Sequence, residues 1–283
     1  MTAPTARRRV VEWVDGAARA REDRLITEEP LEIRVATPGL PDRRLGVTMR
    51  TPGHDFALAA GLVLAEGVVR GRDDIAGIAY CTDARLTQEQ RFNVVTVALS
   101  GAPARTWQER SLRATSACGV CGTDSLDEVA DLVTRLPDHR RPHRWEPTAL
   151  AALPDLLRTH QRHFDRTGGA HAAGLFHPDG TVVVVREDVG RHNAVDKAVG
   201  HTLLEGNLLD GTSDGLALCT SGRIGFEIVQ KAAVAGVAAV VGVGAPTTLA
   251  ARLCDQTGMT LAGFARDGRV VVYAQGDETP GQA

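Results

Sequence analysis

Two cysteines and two glycines fall within five residues, Cys118-Gly-Val-Cys121-Gly122, and make the sharpest chemical feature of the chain. The spacing brings both sulfurs near one point. The glycines let the loop turn tightly and let a substrate approach the backbone. Ser125-Leu-Asp-Glu128 has capping-box spacing, so a helix should begin just beyond the pair. The positive end of that helix favours thiolate over thiol, lowering a cysteine pKa from its free value of about 8.5. A thiolate is the nucleophile in sulfur exchange and also a metal ligand, so the pair reads either as a reactive thiol site or as half of a zinc site. Zinc usually takes about four N or S donors, and there is no second C-x-x-C. Cys81, Cys219 and Cys254 stand alone in apolar or helical contexts, where free cysteine packs as a small hydrophobe. His171 is the candidate third ligand. Zinc deaminases pair H-x-E with a later P-C-x-x-C. Here Ala173 stands where the Glu would be, the cysteine pair precedes the histidine, and no proline precedes Cys118. Deaminase chemistry is therefore disfavoured and no tightly bound metal is expected. His171 either lines a site or is buried at a strand end.

Three further clusters follow. Arg186-Glu-Asp-Val-Gly-Arg-His-Asn-Ala-Val-Asp-Lys197 comes after the β-branched run TVVVV and leads into a helix. Polar groups at a strand's C-terminal end stand where α/β sheets bind ligands. Arg191 and Lys197 suit a phosphate, and Asp188 or Asp196 suits a purine edge; the competing reading is a salt-bridged helix start. Thr220-Ser-Gly-Arg-Ile-Gly225 repeats the layout of apolar strand, glycine turn and helix, as does Gly242-Val-Gly-Ala-Pro246. Backbone N–H groups at a helix start attract anions, and Arg223 adds charge. Neither turn is a Walker or a G-x-G-x-x-G motif. The last cluster is Phe264-Ala265-Arg266-Asp267-Gly268-Arg269. It reads as a hairpin with Asp267-Gly268 as a type I′ turn, or as two arginines for phosphate or guanine with Phe264 as a stacking face.

These clusters need a frame. Leu31–Ala36 and Leu45–Met49 read as a hairpin, Gly53–Val69 as a buried helix, and Ile75–Cys81 and Phe92–Leu99 as strands. A helix is expected from about Thr148 to Phe164. From His171 onward strands and helices alternate: strands at His171–Phe176, Thr181–Val185, Leu216–Thr220, Ala238–Val243, Leu261–Ala265 and Val270–Tyr273, with helices at Val189–Leu204, Ile224–Ala235 and Pro246–Thr257. That pattern is α/β, a mixed sheet with helices on both faces, behind a smaller α+β N-terminal unit. The expected organisation is a loosely held tail over 1–24, the small unit over 25–115, the main domain with the cysteine loop over 116–276, and a tail over 277–283.

The 283 residues carry 32 basic and 35 acidic side chains, a net charge of −3, which excludes a generally basic nucleic-acid coat. No stretch reaches 18 apolar residues, so no membrane span is expected. The N-terminal arginines are followed at once by Glu12 and Asp15 without an apolar region, so a cytoplasmic address is expected.

Taken together, SACGVCG, GGAHAAGLF, REDVGRHNAVDKAVG, TSGRIGFEIVQKAA and LAGFARDGR, in that order, make the chain resemble the formate dehydrogenase accessory sulfurtransferase family (FdhD) over roughly residues 25–275. The resemblance implies a sulfur carrier. A cysteine desulfurase supplies sulfur, held as a persulfide on Cys118, with Cys121 auxiliary. The sulfur then passes to the molybdenum of a bis-molybdopterin guanine dinucleotide cofactor before that cofactor enters formate dehydrogenase. It further implies cofactor binding at Phe264–Arg269, a cytidine deaminase-like fold and a homodimer. Two rivals are a cofactor-binding chaperone that moves no sulfur and a zinc-dependent deaminase-like hydrolase.

Overall fold

The structure is a computed structural model that describes residues 2–81, 92–107, 144–206 and 215–276. Cys118, Cys121 and the capping box at Ser125 lie outside the described residues, as do the expected boundary at 115/116 and the tail at 277–283.

Residues read from sequence as a loose N-terminal tail instead form a two-stranded antiparallel ribbon, β1 (Thr5–Val14) and β2 (Ala17–Ile26). The hinge is Asp15-Gly16, with φ of 48° and 81°, the type I′ geometry that Asp-Gly favours. Arginine-rich composition hid this strand pair. Cross-strand charge pairs hold it, Arg7 to Glu22 at 3.1 Å and Arg21 to Glu12 at 3.0 Å.

β3 (Glu29–Ala36), β4 (Arg43–Arg50), β5 (Ile75–Tyr80) and β6 (Val94–Leu99) form a four-stranded sheet in the order β4-β3-β6-β5. Alternate residues of β3, namely Leu31, Ile33 and Val35, are buried against α1 (Asp55–Ala65). The second sheet is built from β7 (His171–Phe176), β8 (Val182–Asp188), β9 (Ala217–Thr220), β10 (Ala239–Gly242), β11 (Thr260–Arg266) and β12 (Arg269–Ala274), in the order β12-β11-β10-β9-β7-β8. β9, β10 and β11 are parallel to one another, and β7 is antiparallel to both β8 and β9. The sheet is thus mixed, as expected, because β7 and β12 run antiparallel to their neighbours.

α2 (Pro147–Arg158) covers one face of this sheet, over Ala217, Cys219, Ala239, Val241 and Ala262. α4 (Arg191–Leu204), α5 (Phe226–Val234) and α6 (Thr248–Thr257) cover the other, over Leu218, Val240 and Leu261. Each of these three helices links two strands of the same direction. The constant hand of such crossovers puts all three on one side. α1 packs against α4, so one hydrophobic core runs from the small sheet through both helices to the large one. At that crossing only glycine fits. A methyl on Gly200 would lie 1.9 Å from the Ala57 carbonyl oxygen, and one on Gly61 would lie 2.1 Å from that of Asp196.

The single helix expected over Thr148–Phe164 is broken. α2 stops at Arg158 and a short α3 (Arg162–Thr167) restarts, because the Glu187 carboxylate accepts the N–H groups of His163 and Phe164, both at 2.8 Å. That carboxylate satisfies helix-start donors which a continuous helix would bond to its own carbonyls.

A candidate ligand site at the sheet edge

Three glycine turns meet at one edge of the large sheet because β9, β10 and β11 end there together. They are stitched beyond the strand ends. The Val243 N–H donates to the Thr220 carbonyl (3.3 Å), Gly244 N–H to the Gly222 carbonyl (3.2 Å) and Phe264 N–H to the Gly244 carbonyl (3.2 Å). Packing demands two of these glycines. A methyl on Gly244 would sit 3.0 Å from Arg223 backbone atoms, and one on Gly263 would sit 2.8 Å from Pro246 Cδ and 3.0 Å from the Gly244 oxygen. The chemistry-bearing turns are therefore one surface.

His171 joins them because β7 runs the other way, so its first residue lies at this edge, paired with Asp188 at the end of β8. Ser221 locks the corner. Its N–H donates to the Ala172 carbonyl (3.0 Å) and its Oγ accepts the Ala172 N–H (2.9 Å). Ser221 Oγ also lies 3.5 Å from His171 Nδ1. Arg191, the first residue of α4, lies beside them: a methyl on Gly222 would stand 3.5 Å from His171 Nδ1 and 3.6 Å from Arg191 Cδ. Burial, and then the nearby Arg191 charge, lower the His171 pKa below the ordinary imidazole value, with Asp188 pulling weakly the other way. His171 is therefore a neutral imidazole near pH 7. Arg191 Nε is buried and has no hydrogen-bond partner. Among the described residues no carboxylate pairs with Arg191, Arg223, Arg266 or Arg269.

At the far end of the surface the Asp267-Gly268 turn has φ of 52° and 72°, the expected type I′ hairpin, with Arg266 opposite Arg269. Phe264 is 41 % exposed and holds φ of 50°, a left-handed conformation that is an outlier for a bulky side chain. Such strain, about 1–3 kcal/mol, persists where surrounding structure imposes it and clusters at ligand sites. Here the ladder bond to Gly244 and the irregular pairing between Gly263 and Arg266 impose it. Of the six segment residues, Phe264, Arg266, Asp267, Gly268 and Arg269 are exposed, whereas Ala265 is fully buried on the α2 side.

The REDVGRHNAVDK cluster divides in two, and part of its sequence reading is corrected. Lys197 does not reach a phosphate: it is buried, 2.6 Å from the Asp188 carboxylate, and donates to the Thr51 carbonyl at 2.7 Å. Asp188 does not read a purine, since it also accepts the N–H groups of Thr51 (3.0 Å) and Gly190 (2.8 Å). Asp196 is taken by Lys231 at 2.7 and 2.9 Å. Helix periodicity explains the split. Asp196 and Lys197 fall on inward faces of α4, while Arg191 starts the helix at the edge. No local pattern signals the partner segment, Thr48–Thr51, which the fold brings in from 137 or more residues away. Nor does any mark the buried fork, Arg50 on Asp55 at 3.0 and 3.1 Å, to which the Tyr80 hydroxyl donates (3.1 Å).

Cys219 and Cys254 are buried, as their apolar contexts suggest. Burial pushes both thiols up, Cys254 to about 12, so neither is a nucleophile at neutral pH. Among the described residues no three His, Cys, Asp or Glu side chains gather as a metal site, and no helix is long and apolar enough to cross a membrane.

The arrangement can be compared with known proteins. The chain is 47 % identical to the sulfur carrier protein FdhD of Streptomyces avermitilis over 274 residues, covering 95 % of this chain and 94 % of that one. It is 43 % identical to the protein of the same name from Mycobacterium tuberculosis, covering 96 % and 98 %. Its fold matches the crystal structure of a Desulfotalea psychrophila protein, provisionally a formate dehydrogenase accessory protein, with a TM-score of 0.72, 21 % identity and coverage of 97 % and 98 %. The model of the FdhD/NarQ family matches residues 26–279, everything beyond the ribbon up to the last few residues, and the chain belongs to that family.

Proposed function

We propose that this protein is a sulfur carrier for the maturation of formate dehydrogenase. A cysteine desulfurase presents a persulfide. The Cys118 thiolate attacks its outer sulfur, the desulfurase cysteine leaves as thiolate, and Cys118 keeps the sulfur as a persulfide. Attack of a thiolate on sulfur, with the better leaving thiolate expelled, is ordinary exchange chemistry. Cys121 tunes the thiolate or resolves the persulfide: its thiolate attacks the Cys118 sulfur, the two cysteines close to a disulfide, and the outer sulfur leaves as sulfide. The cargo is the molybdenum bis-molybdopterin guanine dinucleotide cofactor, and it takes up the sulfide released as the cysteine pair closes to a disulfide, while its guanine arms lie on the sheet edge.

Relatives named as sulfur carrier proteins support the first half of this reading. One observation supports the second: three backbone turns share an edge with arginines that have no carboxylate partner among the described residues. Phe264 offers a face for a guanine, Arg266 and Arg269 offer charge beside it, and the neutral His171 and Arg191 stand at the other end. The residues present fit a ligand with nucleotide arms.

The test is mass spectrometry after incubation with a cysteine desulfurase and cysteine, without reductant. One added sulfur on the peptide carrying Cys118, lost on reduction and absent in Cys118→Ser, is expected. Full activation of formate dehydrogenase by Cys118→Ser would overturn the carrier role and leave a cofactor chaperone.

A further inference from the structure

The ribbon of β1 and β2 plays no part in the site, yet its two faces are unlike. Cross-strand partners share a face, as do alternate residues along a strand. One face carries Arg8, Val10, Glu12 and Val14 opposite Asp23, Arg21, Arg19 and Ala17. Its charges are spent on one another, with Arg21 bonded to Glu12 at 3.0 Å and to Asp23 at 3.1 Å. The other face carries Arg7, Arg9, Val11 and Trp13 opposite Arg24, Glu22, Ala20 and Ala18. There Arg7 takes Glu22 at 3.1 Å, while Arg9 and Arg24 form no ion pair among the described residues. Toward the tip the same face turns apolar, with Val11 61 % and Trp13 69 % exposed.

A two-stranded ribbon needs further surface to be more than marginal in water, and charge says which surface. Face to face with a second copy, three arginines and one glutamate would meet the same set. Lipid is disfavoured by the tip, where Asp15 forms the turn, because a hairpin that enters a membrane leads with apolar or basic groups. An acidic protein surface with an apolar slot satisfies both the free guanidinium groups and the indole, and Trp and Arg are the residues that most often dominate protein interfaces. Position says which protein. The base of the ribbon packs on α3, and Ile26 lies 3.1 Å from where a methyl on Gly169 would be, two residues ahead of His171 at the sheet edge. Its ten-residue strands reach about 30 Å, so a protein held by the ribbon is tethered within that distance of the edge.

We propose that the Arg9, Arg24 and Trp13 face of the ribbon is a docking arm for the acidic protein that takes over the cargo. The identity of that protein, formate dehydrogenase before it receives its cofactor, rests on the maturation reading above.

The test measures binding of the full chain to cofactor-free formate dehydrogenase by calorimetry and stopped flow. Trp13→Ala should weaken binding about tenfold or more. Reversing both free charges, Arg9→Glu with Arg24→Glu, should slow association about tenfold, and more at low salt. Arg19→Ala, on the self-paired face, should bind as wild type does. Amides of β1 and β2 should exchange more slowly in the complex than in the protein alone, and sulfur loading of Cys118 should be the same in every variant. Wild-type binding by both Trp13→Ala and the charge reversal overturns the arm. So does a wild type that loads sulfur yet does not bind the apoenzyme, and that outcome leaves the carrier reading intact. Capture of wild type, but not Trp13→Ala, by phosphatidylserine vesicles in place of the apoenzyme overturns it in favour of lipid. Variant-sensitive binding by a protein that never loads sulfur supports the arm and removes the carrier reading instead.

Discussion

Lys197 Nζ lies 2.6 Å from Asp188 Oδ2, and both side chains are sealed from solvent. The pair joins the two sheets, because Lys197 also donates to the Thr51 carbonyl and Asp188 accepts the Thr51 N–H. Removing one member leaves the other charge buried. Lys197→Met should therefore lower stability by about 3–5 kcal/mol, read from urea midpoints. Adding Asp188→Asn should recover part of the loss. Equal midpoints for wild type and Lys197→Met would mean that the carboxylate finds water.

The α1–α4 crossing has no slack. Gly200→Ala drives a methyl to 1.9 Å from a backbone oxygen that cannot swing aside, so the helices must separate. Overpacking typically costs about 1–3 kcal/mol, occasionally more, so a drop of several degrees in Tm is expected. Gly222→Ala serves as the control and should melt like wild type.

Phe264 sets backbone strain against ligand contact. Phe264→Gly relieves a left-handed φ of 50° and gives up a side chain that is already 41 % exposed. Tm should hold or rise, within about 1 kcal/mol, while guanosine affinity falls. A clear loss of stability would show that the phenylalanine belongs to the packing.

His192 makes stability pH-dependent. Its pKa is pushed down to about 3 by burial and then by Arg191, Lys231 and His171, despite Glu227 at 3.3 Å. Below about pH 6.5 the unfolded chain takes up a proton that the folded one refuses, so stability falls as pH drops from 6.5 toward 3. Asp196 opposes this: burial raises its pKa to about 6, and its contribution fades as pH rises from about 4 to 6. His192→Gln should flatten the acid-side loss in urea midpoints measured at pH 4.5–7. An unchanged slope would assign the loss to other groups.

The N-terminal ribbon meets the rest of the chain near its base, where a methyl on Gly169 would lie 3.1 Å from Ile26, while Val11 and Trp13 near its tip are 61 % and 69 % exposed. A two-stranded ribbon alone is marginal in water. Its amides should exchange within seconds to minutes in deuterium, whereas those of β9 stay protected. Protection matching β9 would mean that something covers the ribbon.

The sequence by itself determined the local elements and much of the chemistry, for physical reasons. Period-two burial along Leu31–Val35, the Asp267-Gly268 turn and the glycine that closes α6 at Gly258 all follow from contacts within a few residues. Chain-local rules also made Arg191, His171, Ser221 and Phe264–Arg269 visible as chemical groups. What they could not decide was which groups share a surface and which are spent inside. Arg191 and Lys197 look equivalent on paper, yet one stands at the edge with its Nε unpartnered and the other is consumed by Asp188 and Thr51, the residue that follows β4 of the other sheet. His171 reaches Ser221, 50 residues away, only because β7 is inserted antiparallel beside β9. Strand order and direction are set by the packing of the whole core, so the tertiary structure alone made three separate turns into one edge.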